Sequence, residues 1–146
     1  MTAGVAVTLF VYDLAQSNAL TRFLGLGKYL ATVEIYGTRV WAGKNGVETS
    51  KDPLDLPLRW TGVIGHTTKS RAETMAVVED LRDRFEDGAY DPIGNNGNTF
   101  ASELCVKMCG HDIPQWVNML YDVFATLHFY PTLQLFKPVH GTSMTA

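Results

Sequence analysis

The chain has 146 residues, 46% of them hydrophobic and 18% charged, with a net charge of −3. That length suits one domain around one core. The acidic balance offers no electrostatic case for nucleic acid or an anionic membrane surface, and no apolar run reaches the length of a bilayer span. The first residues carry no basic cluster ahead of their apolar run, so they read as neither a secretory signal nor a transit peptide. Together with two cysteines, this sets the expected location as a soluble, reducing compartment, the cytoplasm, and leaves an organelle or cytoskeletal assembly open.

In chain order, Val5 to Tyr12 (V-A-V-T-L-F-V-Y) is a strand with two largely apolar faces, the pattern of a buried strand. It ends in Asp13-Leu14. Gln16 to Lys28 holds Leu20, Phe23, Leu24 and Leu26 and reads as a short helix or ordered loop. Leu30 to Gly43 predicts a hairpin turning at Gly37-Thr38. Ala31, Val33 and Ile35 lie on one face of its first strand, and Leu30, Thr32, Glu34 and Tyr36 on the other. Lys44 to Pro57 reads as a polar loop, and Leu58 to Ile64 as a further strand. Gly65-His66-Thr67-Thr68 then leads to Ser70-Arg71-Ala72-Glu73, a capping box. The helix it opens places Met75, Val78, Leu81 and Phe85 on one face. Glu79, Asp80, Arg82, Asp83 and Arg84 form a solvated charged face, read as structural, and Asp87-Gly88 ends the helix.

Tyr90 leads into a polar turn, Asn96-Gly97-Asn98-Thr99-Phe100, which runs straight into a second helical pattern. Asn98 is positioned as its N-cap, and Phe100, Leu104 and Met108 follow at i, i+4, i+8. Gly110 stops this helix, and Pro114 opens another that carries Trp116, Val117, Leu120, Phe124 and Leu127. A turn that delivers residue 97 to a helix N-terminus is suited to holding a reactive thiol, because unpaired N–H groups and the helix dipole stabilise a thiolate. Gly97 carries no side chain.

Three segments carry a family resemblance. The chain has V-T-L-F-V-Y-D-L at residues 7–14, L-A-T-V-E-I-Y-G-T-R-V-W-A-G at residues 30–43, and N-G-N-T-F-A-S-E-L followed by G-H-D-I-P-Q-W between Asn96 and Trp116. These resemble the PPPDE family, permuted papain-fold cysteine peptidases that include desumoylating isopeptidases and deubiquitinase-like members. The framework positions Val33, Glu34, Ile35, Tyr36, Gly37, Gly43, Asn96, Asn98, Thr99, Phe100, Glu103, Gly110, Ile113, Pro114 and Trp116 match. The resemblance covers about Val7 to Leu120. It implies an α+β, permuted papain-like fold, a small antiparallel sheet packed on helices. It also places the family's catalytic histidine on Leu30 and its nucleophilic cysteine on Gly97. Leucine has no titratable nitrogen to accept a thiol proton.

No other set replaces that dyad by spacing alone. Cys105 and Cys109 lie one turn apart, too far along their helix to gain from its N-terminus, and read as small packed hydrophobes. Helical geometry also disfavours a disulfide between them. With His111 they fall short of a metal-ligand set, and the expectation is no metal and no cofactor. His66 reads as a turn histidine, while His128 and His140 lie in the tail. The sequence therefore predicts a non-catalytic member acting through protein contacts, as a subunit of a larger assembly. The alternative is a thiol hydrolase of ubiquitin or SUMO conjugates using Cys105 or Cys109 with His66 or His111. Retained binding of a ubiquitin-like protein is a third option. Residues 1–127 are read as the PPPDE-like domain. Residues 128–146 are read as an apolar tail, packing in its helical part and contacting a partner after Pro131.

Overall fold

A computed structural model describes residues 4–14, 29–43, 45–85 and 97–118. Five strands form one sheet: β1 Val5–Asp13, β2 Tyr29–Ile35, β3 Thr38–Gly43, β4 Gly46–Ser50 and β5 Leu58–Thr67. They lie in the order β4-β3-β2-β1-β5, and every pairing is antiparallel. Two helices complete the α+β fold, α1 Arg71–Arg82 and α2 Gly97–Cys109. Short 3₁₀ turns follow them at Asp83–Phe85 and Gln115–Asn118.

The register explains the core. Leu9 lies opposite Val33, and Val33 opposite Val40, so these side chains share a face. Val7, Leu9, Val11, Ala31 and Val33 are fully buried, as are Phe100, Ala101, Leu104 and Cys105 of α2. Val78 and Leu81 of α1, with Phe85 just beyond it, close the core, and the Phe85 ring meets Phe100 edge-on at 5.3 Å. Each large side chain buried here contributes about 1.5–3 kcal/mol.

Local chemistry sets most boundaries. The Ser70 hydroxyl accepts from the Glu73 N–H (3.1 Å) and the Glu73 carboxylate from the Ser70 N–H (2.8 Å), the reciprocal cap read from the sequence. Gly110 ends α2 at φ +76°, where glycine pays no Cβ penalty.

Several expectations are corrected. The hairpin turns at Tyr36-Gly37, not Gly37-Thr38: both residues have positive φ, and Ile35 pairs with Thr38. The left-handed Tyr36 is offset by tertiary contacts, since its hydroxyl donates to the Lys69 carbonyl (2.6 Å) and Arg71 sits over its ring. The polar loop expected over Lys44–Pro57 contains β4, whose polar outer positions suit an edge strand but break the apolar alternation that signals one. Strand β5 runs on to Thr67, so His66 is an exposed strand residue and not a turn residue. Met75 is 38% exposed, and Thr74 takes its place on the buried face of α1. Phe85 lies in the 3₁₀ turn. The helix expected after Pro114 is a 3₁₀ turn as far as it is described. Gln16 to Lys28, Asp87-Gly88, Tyr90, Asn96, Leu120, Phe124, Leu127 and the 128–146 tail lie outside the described residues.

Candidate functional site

Helix α2 begins where β2 starts and β3 ends, and this junction brings Leu30 and Gly97 together. A Cβ added to Gly97 would stand 3.2 Å from Leu30 Cδ1 and 2.5 Å from the Ala42 carbonyl oxygen. The start of the helix thus sits closer to β3 than a side-chain-bearing residue permits. Neither Leu30 nor Gly97 offers an atom that can attack a carbonyl or move a proton.

Asn98 holds this junction. It is 2% exposed, and its Oδ1 accepts from the Ala31 N–H at 2.9 Å. Its Nδ2 donates to the Tyr29 carbonyl at 2.9 Å and to the Val117 carbonyl at 3.4 Å. One amide thereby grips the backbone on both sides of Leu30 and joins α2 to the 3₁₀ turn. This corrects the N-cap expectation, since Asn98 lies inside α2 and its side chain reaches β2. Across the junction, Trp116 meets Tyr29 (5.1 Å) and Trp60 (6.2 Å), both edge-on.

The cysteines sit farther along α2. Cys105 is fully buried, and burial, followed by the neighbouring Cys109 and Asp112, pushes its thiol up to about 12. At neutral pH only on the order of one in 10⁵ such thiols is ionised. Cys109 is half-buried, and its Sγ donates to the Cys105 carbonyl (3.2 Å). A Cβ on Gly65 would lie 2.8 Å from Cys109 Sγ and 3.2 Å from His111 Cδ2, so thiol and imidazole flank one glycine. His66 follows Gly65 on the strand, and alternation turns it to the other face. Asp112 accepts from Ser102 Oγ (2.6 Å) and the Ile113 N–H (2.7 Å). Among the described residues, no group of three His, Cys, Asp or Glu is placed to hold a metal ion. None of their helices is long and apolar enough to cross a membrane.

Sequence reasoning missed two features of the junction: the reach of Asn98 across 67 residues to Ala31, and the approach of the Ala42 carbonyl to Gly97. The one sequence signal was a glycine at the first residue of a helix.

The fold and junction define a papain-like α+β protein of the PPPDE class. Residues 5–137 match the PPPDE putative peptidase domain, and the chain belongs to that family. It is similar to a DeSI-like protein of Arabidopsis thaliana, 29% identical over 124 residues covering 80% of this chain and 55% of that protein. It is also similar to a desumoylating isopeptidase 1 homolog of Caenorhabditis elegans, 25% identical over 134 residues covering 84% of this chain and 40% of that protein. The chain spans about half the length of these relatives.

Proposed function

We propose that this chain is a non-catalytic member of its family, working as a protein-binding or structural subunit of a larger assembly. The observation that carries this reading is the juxtaposition of Leu30 and Gly97 at the start of α2, where a Cβ on residue 97 would stand 3.2 Å from Leu30 Cδ1. Where the family resemblance puts a thiol and its base, an aliphatic side chain meets bare backbone. Removing either member of such a pair costs turnover by orders of magnitude. The fold alone carries no activity, so the isopeptidase role named for a relative is not transferred. Protein contact is the role we assign to this scaffold; among its described residues no group of three His, Cys, Asp or Glu is placed to hold a metal ion.

A second reading rests on Cys109 and His111, which flank Gly65. There the thiol would give its proton to the imidazole and attack a conjugate's isopeptide carbonyl. The C–N bond breaks, the amine leaves with that proton, and water then hydrolyses the thioester to free the thiol. The test is incubation of the full chain with ubiquitin and SUMO bearing a C-terminal thiol-reactive group. No covalent adduct is expected by intact-mass measurement. An adduct mapped to Cys109 and lost in Cys109→Ser replaces the first reading with the second.

A further inference from the structure

The two edges of the sheet are built differently. β4 is five residues long, exposes Glu48 and Thr49, and its Val47 carbonyl accepts from Arg82 Nη1 (3.1 Å). β5 is ten residues long, lies at the opposite edge, and bonds to β1 as its one neighbour among the described strands. It contains no proline and no lysine, and although its register with β1 shifts at Val7/Thr8 and at Val11/Tyr12, Trp60 to Val63 pair without interruption. A long edge strand of this kind presents backbone N–H and C=O groups to an incoming strand.

The surfaces beside that edge are apolar. Leu58 and Val63 are 52% and 56% exposed, and they lie opposite Tyr12 and Thr8, on the face turned away from Leu9 and the core. On the helix side, the Trp60 indole covers Gly62, within 2.6 Å of where a Cβ there would stand, and meets Trp116. Charge adds direction. Between Asp55 and Glu73 the chain has no carboxylate, while it carries Arg59, Lys69 and Arg71, in a molecule whose net charge is −3. Arg59 and His66 are exposed on the strand itself.

We infer that the edge of β5 left unpaired among the described strands is the docking site for an extended, acidic segment of a partner protein, which adds to the sheet as a further strand. Main-chain hydrogen bonds supply the affinity. Alternate side chains of the segment cover Leu58 and Val63 on one face and Trp60 on the other, and its carboxylates meet Arg59 and His66. The inference rests on the protein-binding reading and names the surface that would serve it.

The test is selection of displayed random peptides on the immobilised full chain. Binding of a selected peptide is then measured for the natural chain, Val63→Lys and Arg59→Glu, with amide exchange of the bound state. Enriched peptides should alternate β-branched or aromatic residues and carry Asp or Glu. Amides within residues 60–65 should gain protection, and each variant, its circular dichroism unchanged, should weaken binding about tenfold or more. Enrichment without carboxylates, protection elsewhere, or affinity indifferent to both variants overturns the inference. So does displacement by an RNA oligonucleotide, or a Val63→Lys-sensitive dimer in sedimentation, which would give the edge to a second copy. A ubiquitin adduct at Cys109 would overturn the non-catalytic reading and leave these β5 measurements standing.

Discussion

Glycine is the residue that permits the junction at position 97, and its replacement decides between two opposing effects. In a helix, alanine gains about 1 kcal/mol over glycine. Here its Cβ would meet the Ala42 carbonyl oxygen at 2.5 Å, a backbone atom of β3 where that strand pairs with Val47 of β4. Overpacking of that kind costs about 1–3 kcal/mol. The neighbour is backbone and not the end of a flexible side chain, so the steric cost wins. Gly97→Ala should destabilise the chain by about 1–2 kcal/mol in urea unfolding, and a stabilised variant would mean that the helix start has slack. Cys105 gives a second residue-scale outcome. Its thiol is held neutral by burial, and its folded value of about 12 lies above the ordinary thiol range. The contribution to stability is therefore complete below the unfolded thiol's pKa and is lost as pH rises toward 12. At neutral pH, iodoacetamide should modify Cys109 and leave Cys105 unmodified until the chain unfolds, as read by peptide mass mapping.

Among the elements, those whose signals are local were legible. The capping box of α1, the apolar repeat of α2 and the glycine that ends it each rest on chemistry within a few residues. β4 was not legible, because a short edge strand with one solvated face has the composition of a loop. The hairpin turn was displaced by one residue because Tyr36 adopts a left-handed conformation that its sequence disfavours. The Lys69 carbonyl and Arg71 make that conformation tolerable, and both are distant in sequence. The cap of α1 has a consequence in pH. The Ser70 N–H, then its hydroxyl, hold the Glu73 carboxyl below the usual carboxylate range. A depressed folded value means stability present above the unfolded carboxylate's pKa and lost as pH falls through the folded one. Ser70→Ala should lower the Tm by a few degrees at neutral pH and by less once the pH has fallen below the folded carboxyl's own pKa, where Glu73 is protonated in both proteins. An equal drop at both pH values would assign the effect to the hydroxyl alone.

At the scale of the whole molecule, the motifs located Leu30 and Gly97, but their relation is a property of the packed chain. They lie 67 positions apart in the sequence, and the seating of α2 on β2 and β3 brings them side by side. Asn98 holds that seating by gripping Tyr29, Ala31 and Val117. The approach of the Ala42 carbonyl to within 2.5 Å of where a Cβ at residue 97 would stand leaves the junction no room for a larger side chain there. Leu30→His with Gly97→Cys would restore the two chemical groups that the family resemblance assigns to these positions. A cysteine Cβ, however, enters the same 2.5 Å approach to the Ala42 carbonyl, and an imidazole is larger and more polar than the leucine it replaces. Helix α2 would have to retreat from β3, drawing the Asn98 amide from its strand partners, and a misplacement of about 1 Å is enough to cost a hundredfold in rate. The double variant should therefore leave fluorogenic ubiquitin and SUMO substrates uncleaved above background, and it should unfold at a lower temperature than the natural chain. Leu30→His alone should remain folded. Turnover by the double variant would mean that the junction accommodates a cysteine and an imidazole without the retreat of α2.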